Sequence, residues 1–161
     1  MQSDPIGLMA GPNTFTYAFS QSLTFTDRYG LAGLRVTSSR TGQVIHSDPN
    51  HPNPCGTGKP WTKGKNGEKD MLQFLQGGGL GLGGTKARGN TANNVAPSAG
   101  GTGRARTDGI IPGIGGGLPT GLEAKCGPCA GFTPNQKQNY GPATTPGPSQ
   151  QFDDIWVFWY R

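Results

Sequence analysis

The chain has few of the apolar side chains that build a large hydrophobic core. Leu, Ile, Val and Phe together account for 27 of its 161 residues, a smaller share than the roughly 20% typical of a globular domain. Ordering each residue costs about 1–2 kcal/mol of backbone entropy, which buried surface must offset. A single large core is therefore excluded, and we expect small ordered regions joined by irregular segments.

Long apolar runs, a secretory signal and an even set of cysteines are also missing. No apolar run reaches the roughly 18 residues of a membrane-spanning helix. The N-terminus lacks the basic region followed by an apolar stretch that marks a signal peptide, so export would need another route. Three cysteines are an odd number, which does not indicate a disulfide framework.

The chain is instead rich in Gly and Pro, with 29 and 14 residues, and its local patterns are short. They predict a small, irregular, β-rich fold, α+β at most, with much loop or disorder. Alternating aromatic and Thr residues over 14–26 and an apolar run over 154–160 predict short strands. The run over 154–160 should be buried, because it would aggregate if exposed.

One short helix is predicted near 68–76. There Met71, Phe74 and Leu75 follow the i, i+3, i+4 pattern, with Asn66 as the N-cap and Gly77 as the stop. Between this helix and the last strand, the Gly-rich residues 77–121 are predicted to be flexible or tightly turned backbone, and 133–151 a linker.

Two similar turns open the chain: Asp4-Pro5-Ile6-Gly7-Leu8 and Asp27-Arg28-Tyr29-Gly30-Leu31, with 18 residues between them. Asp first and Gly fourth is the preference of a type I turn. Together with the segment NTFTYAF between them, these turns closely resemble the core-associated signature of the Rhs (YD-repeat) family. That signature has two D-P-x-G-L elements at the same spacing around an N-T-Y-A-Y segment.

The resemblance implies a domain boundary and a self-cleavage element. Residues 1–31 would be the end of the signature, which closes a β-cocoon shell, and 32–161 would be the variable C-terminal toxin tail. Asp4 and Asp27 would form an aspartic-protease-like pair that cuts after Leu31, since two carboxylates sharing a proton supply an acid and a base. We expect this element to be inactive without the cocoon, and the second turn has Arg28 in place of the usual Pro.

The resemblance also implies a biological setting. The chain would be the C-terminal fragment of an Rhs-type polymorphic toxin used in interbacterial competition. It would be made in the bacterial cytoplasm and exported by a specialised system such as type VI secretion. Its partners would be the cocoon shell and a cognate immunity protein. The alternative is a non-catalytic or degenerate tail cassette.

The charge of the tail favours nucleic acid as its target. After Leu31 there are 13 Lys or Arg residues against 7 Asp or Glu, and phosphates bind such charge without an elaborate fold. His46 and Asp48, in the loop HSDPNH, are the candidate catalytic residues of a toxin nuclease. The alternative is a solvated basic loop. The candidate nucleic-acid-binding residues are Lys59, Trp61, Lys63, Lys65, Arg88, Arg104 and Arg106.

The cysteines suggest a zinc- or thiol-dependent module as a further alternative. His51, Cys55, Cys126 and Cys129 would make a tetrahedral zinc set, and a chain poor in core would gain folding free energy from it. Unpaired cysteines, or a Cys126–Cys129 bridge, are the plainer possibilities. CGPC is also a thioredoxin-type dithiol motif, although Pro134 is expected to break a following helix. A zinc deaminase is disfavoured, because neither histidine lies in a His-x-Glu motif.

Overall fold

The computed structural model describes residues 33–83, 86–89, 105–113, 117–127 and 129–161. All of them belong to the second of two units into which the chain divides, Ala32–Arg161. The aspartate turns with Asp4 and Asp27, and the strands predicted over 14–26, lie outside the described residues, so these predictions remain as stated.

Six strands form one mixed sheet in the described part of the chain. They are β1 (Leu34–Ser38), β2 (Val44–Asp48), β3 (Arg88–Gly89), β4 (Gly109–Ile111), β5 (Thr120–Cys126) and β6 (Ile155–Tyr160). Their order across the sheet is β2-β1-β6-β5-β4-β3, and only the β5–β6 pair is parallel. With the helices α1 (Pro60–Gln76) and α2 (Pro134–Thr144), this confirms a β-rich α+β fold.

The C-terminal strand β6 lies in the middle of the sheet, between β1 and β5. Its apolar and aromatic composition suits a strand that is covered on both faces. Ile155, Val157, Phe158 and Tyr160 are each fully buried. The prediction of a buried strand over 154–160 is thus confirmed.

Helix α1 packs on one face of the sheet through residues spaced four apart. Gly67, Met71 and Leu75 are its buried positions, and full burial of a large apolar side chain stabilises the fold by about 1.5–3 kcal/mol. The core on this face also contains Leu34, Val36, Cys55, Leu122, Phe158 and Tyr160.

The helix predicted over 68–76 is confirmed, but it begins earlier, at Pro60. Lys59 is the N-cap residue, so the prediction of Asn66 as the cap is wrong. Proline suits the first helical position, where its fixed φ is already helical and its missing N–H is not needed. Gly64 and Gly67 weaken the helical pattern in the sequence, and tertiary packing overrides that weak preference.

Helix α2 occupies much of the segment predicted to be a linker. Thr133 and Gln136 form a capping box: Gln136 N donates to Thr133 Oγ1 at 3.3 Å, and Thr133 N donates to Gln136 Oε1 at 2.9 Å. Pro134 therefore begins a helix instead of breaking one. The helix packs on the second face of the sheet, where Tyr140 and Ala143 join a core with Ala105, Phe152 and Ile155.

The Gly-rich segment 77–121 also contains regular structure. Strands β3 and β4 and the first residues of β5 fall within it, together with a 3-10 turn at Gly79–Gly81. Its expected turned character is seen at Leu80, which has a φ of 62°. Among the described residues, neither helix combines the length and apolar composition needed to cross a bilayer.

Candidate functional site

Strand β2 carries His46 and Asp48 to the α1 face of the sheet. His46 pairs with Val36 and Asp48 pairs with Leu34, and cross-strand partners point to the same face. These two residues therefore lie on a strand, although the sequence suggested a turn-rich loop. The His46 ring packs 5.5 Å from the Phe74 ring. Its Nε2 atom is buried, and no described residue hydrogen-bonds to it.

His51 forms an imidazole–carboxylate pair with Asp70 of α1. A turn after β2, in which Asn50 N donates to Asp48 Oδ1 at 3.0 Å, brings His51 back over the helix. His51 Nε2 lies 2.8 Å from Asp70 Oδ2, and His51 Nδ1 lies 3.9 Å from Asp48 Oδ2. The imidazole thus lies between two carboxylates, with 12% of its side chain exposed.

Aromatic rings form the apolar floor below this pair. The His51 ring meets Phe74 edge-on, with 5.5 Å between centroids, and lies 6.0 Å from the ring of Tyr160. Burial, and then the charge of Asp70, raises the pKa of Tyr160, so its phenol stays protonated. This floor restricts the orientation of the imidazole.

An open depression of about 220 Å³ adjoins the pair. It is lined by Pro54, Asn66, Lys69, Asp70 and Gln73. The four helical residues are spaced three or four apart and so share one face of α1. Asp70 is common to the depression and to the contact with His51, so the His51–Asp70 pair lies beside a surface that Lys69 also lines.

Near the start of α1, Trp61 and Lys65 lie one turn apart on the same face of the helix, which we call the α1 basic face. Trp61 is 63% exposed, and Lys65 Nζ lies 5.0 Å from the centre of its ring. Of the predicted nucleic-acid-binding residues, the structure thus brings Trp61 and Lys65 together, whereas Lys59 is the N-cap residue and Lys63 lies on another side of the helix. Arg88 lies on β3 and Arg106 precedes β4, both exposed, and Arg104 is outside the described residues.

The predicted zinc set does not assemble in this structure. Cys55 and Cys126 form a disulfide with a Cα–Cα distance of 5.7 Å, so neither sulfur can bind a metal as a thiolate. His51 contacts Asp70, and Cys129 is an exposed free thiol. No group of three or more candidate metal ligands occurs among the described residues. The disulfide also differs from the Cys126–Cys129 bridge considered from sequence.

A second polar cluster lies on the opposite face, centred on the buried carboxylate of Glu123. It accepts hydrogen bonds from Tyr140 OH at 2.6 Å, from Gln136 Nε2 at 2.6 Å and from Lys125 Nζ at 2.8 Å. Burial, and then the charge of Glu123, raises the pKa of Tyr140. These hydrogen bonds attach α2 to β5, and we assign the cluster a structural role.

Asp108 adjoins this cluster, and its carboxylate contacts the backbone of β5. Its Oδ2 atom accepts a hydrogen bond from Ala124 N at 2.8 Å. Burial, followed by the charge of Glu123, raises the pKa of Asp108 to about 7.

Sequence reasoning named His46, Asp48 and His51 but missed Asp70. The signal that could have found it is the polar stripe of Asn66, Lys69, Asp70 and Gln73 on the predicted helix, opposite its apolar face. No local pattern pointed to Glu123 or Asp108, whose partners are distant in the chain.

Comparison with family models, curated proteins and solved structures found no match to this chain.

Proposed function

We propose that the chain ends in the toxin tail of an Rhs-type polymorphic toxin, and that this tail cleaves RNA with His51 as its acid–base residue. The observation that carries the proposal is the 2.8 Å contact between His51 Nε2 and Asp70 Oδ2 beside a depression that Lys69 lines. The Rhs setting comes from the resemblance of the opening turns.

The geometry supports a catalytic histidine in the manner of His–Asp pairs in general. When Nε2–H donates to Asp70, the imidazole is held in one tautomer and orientation, and Nδ1 becomes the atom that accepts a proton. Asp48 Oδ2, 3.9 Å from Nδ1, adds negative charge that stabilises the imidazolium formed.

RNA is the favoured substrate because its ribose carries an internal nucleophile. Nδ1 of His51 takes the proton of a 2′-hydroxyl, and the 2′-oxygen forms a bond to phosphorus. The bond from phosphorus to the 5′-oxygen breaks, that oxygen takes a proton from water, and the His51 imidazolium returns its proton to the hydroxide ion that remains. The products are a 2′,3′-cyclic phosphate and a 5′-hydroxyl. Lys69 supplies positive charge for the phosphate oxygens.

The α1 basic face supports binding of the strand. Lys65 attracts the phosphate backbone, and this attraction weakens as the salt concentration rises, because the release of condensed counterions then gains less entropy. Trp61 exposes a ring on which a base can stack, worth about 1–3 kcal/mol per base. A single strand fits better than a duplex, because stacking on a side chain needs an unpaired base.

The test compares Asp70→Asn and His51→Ala with the exposed control Asp153→Asn. We expect the two site variants to cleave labelled single-stranded RNA at least about 100-fold more slowly, because acid–base catalysis contributes roughly that much or more. Mass spectrometry should find the cyclic phosphate. The same variants should lose toxicity in bacteria that lack the immunity protein, while the control keeps it.

Two results would contradict the proposal. Cleavage of DNA as fast as RNA would rule out attack by a 2′-hydroxyl. Harmless overexpression of the natural chain with no RNA cleavage would favour the non-catalytic tail cassette.

A further inference from the structure

The free thiol of Cys129 lies in the same turn as one sulfur of the disulfide. Strand β5 ends at Cys126, and the next residue, Gly127, has a φ of +103°. Gly127 N donates to Tyr160 O at 2.8 Å, and Ala130 N donates to Gly127 O at 3.1 Å. These hydrogen bonds attach the segment after β5 to β6. Cys129, the last residue of the C-G-P-C motif, is exposed.

The other half of the disulfide belongs to the segment that carries His51. Cys55 is 3% exposed, and its backbone N–H donates to Asn53 Oδ1 at 2.9 Å. The segment begins at the end of β2 and leads to α1, so the bond to Cys126 fixes it covalently to the end of β5. Among the described residues, this disulfide is the covalent link between the His51 segment and the centre of the sheet.

We propose that Cys55–Cys126 and Cys126–Cys129 are two alternative pairings that interconvert by thiol–disulfide exchange. The thiolate of Cys129 attacks Sγ of Cys126, a new S–S bond forms between them, and the bond from Cys126 to Cys55 breaks. Cys55 leaves as a thiolate and takes up the proton that Cys129 lost. One disulfide is exchanged for another, so no oxidant or reductant is consumed.

Accessibility favours attack at Cys126. Cys129 is exposed, whereas Cys55 is buried and shielded from thiols in solution. The two cysteines of the turn have the C-x-x-C spacing at which dithiol motifs form disulfides. The exchange therefore converts a long-range link into a local one, and it releases the His51 segment from β5.

This release would couple the redox state to the candidate site. With Cys55 freed, the segment keeps its backbone connections to β2 and α1 but loses its covalent link to β5. The position of His51 over Asp70 then depends on noncovalent contacts alone. The effect on activity depends on the proposed function, whereas the exchange itself does not.

The experiment maps the disulfides of the full chain after incubation near pH 8, where a good share of an ordinary thiol is ionised. Samples are trapped with N-ethylmaleimide in acid and digested with trypsin without reduction. One tryptic peptide, 41–63, contains Cys55, and another, 126–137, contains both Cys126 and Cys129. The two pairings therefore differ by the presence or absence of a cross-link between peptides.

We expect the cross-linked pair to decrease with time, while peptide 126–137 with an internal bridge and modified peptide 41–63 increase in equal amounts. The Cys129→Ser variant should keep the cross-link throughout. Cys55→Ser, treated with oxidised glutathione, should form the internal bridge and should show lower RNA cleavage than Cys129→Ser.

Three results would overturn the proposal: a cross-link that never decreases in the natural chain, exchange that proceeds equally in Cys129→Ser, or a dimer joined through Cys129. The disulfide map is obtained whether or not the protein cleaves RNA. Failure of the exchange is thereby separated from failure of the proposed function.

Discussion

Asp108 is a carboxyl group whose protonation state is linked to folding. It accepts a hydrogen bond from Ala124 N and lies near the buried carboxylate of Glu123. Taking a carboxylate out of water and placing it near another one both disfavour its charged form. These effects outweigh the stabilising backbone hydrogen bond and raise the pKa of Asp108 from 3.8 to about 7.

The raised pKa makes the contribution of Asp108 to stability depend on pH. Between about pH 4 and pH 7 the folded state binds more protons at this site than the unfolded state does, so stability falls as pH rises through this range. The variant Asp108→Asn resembles the protonated form at every pH. We expect its free energy of unfolding, relative to that of the natural chain, to increase by about 2–4 kcal/mol from pH 5 to pH 8.

Urea unfolding of both proteins at the two pH values measures this gain. The control is Asp153→Asn, at an exposed position. The difference between its free energy of unfolding and that of the natural chain should change little with pH. A constant difference between Asp108→Asn and the natural chain would show that Asp108 does not titrate in this range.

At the scale of elements, helix α1 unites the core and the candidate site. Its buried face meets the sheet at Gly67, Met71 and Leu75, and its polar face presents Asp70 to His51. Gly67 allows a close approach: a Cβ atom there would lie 2.8 Å from Cys126 Sγ and 3.4 Å from Ala124 Cβ. Glycine has a low helix propensity, but at this position it leaves room for the disulfide.

We expect Gly67→Ala to destabilise the fold by about 1–3 kcal/mol, because overpacking costs more than the gain in helix propensity. Gly64→Ala in the same helix is the matched control. A Cβ at Gly64 meets no atom within 4 Å, so this variant should be stabilised by up to about 1 kcal/mol. Chemical denaturation measures both, and equal stabilisation by the two substitutions would contradict the close packing at Gly67.

At the scale of the whole molecule, the disulfide compensates in part for the small core. It joins cysteines 71 residues apart and links the segment between β2 and α1 to the end of β5. Closing so long a loop restricts the unfolded chain, which corresponds to about 4 kcal/mol of stability in the chain-entropy description. Cys55 also adds a buried side chain to the core around α1.

Reduction should therefore destabilise the described fold by up to about 4 kcal/mol. The measurement is the urea midpoint with and without a reducing agent, which should fall most for Cys129→Ser, whose Cys55–Cys126 bridge cannot exchange, and should also fall for the natural chain. The variant Cys126→Ser should show no response to the reducing agent. A midpoint that is unchanged by reduction of the natural chain would contradict a stabilising bridge.

Local sequence patterns predicted the elements whose signal is contained within a few residues. The apolar run of β6 and the spacing of Met71 and Leu75 both identified real elements. Helix α2 was missed because Pro, Gln and Asn suggest a linker. Its start nevertheless has a helix signal: Thr133 and Gln136 form a capping box, and Pro134 occupies the first helical position. Its stability comes from packing Tyr140 against the sheet, which no local pattern shows.

For the candidate site, the sequence identified the residue types but not the partners. The sequence predicted Asp48 as a catalytic candidate, together with His46, and His51 as a zinc ligand. Asp70 lies 19 residues from His51, and only the packing of α1 beside β2 brings the two side chains into contact. The zinc set was likewise a hypothesis about spacing, and the pairing of Cys55 with Cys126 replaced it.

The sequence by itself determined the small core, the basic character of residues 32–161, the buried strand β6 and the second half of α1. These follow from composition and short-range periodicity, which act before any fold exists. Only the tertiary structure decided the sheet order, the His51–Asp70 pair and the Cys55–Cys126 disulfide. Each of these joins residues distant in the chain, and such contacts depend on how the strands and helices pack together.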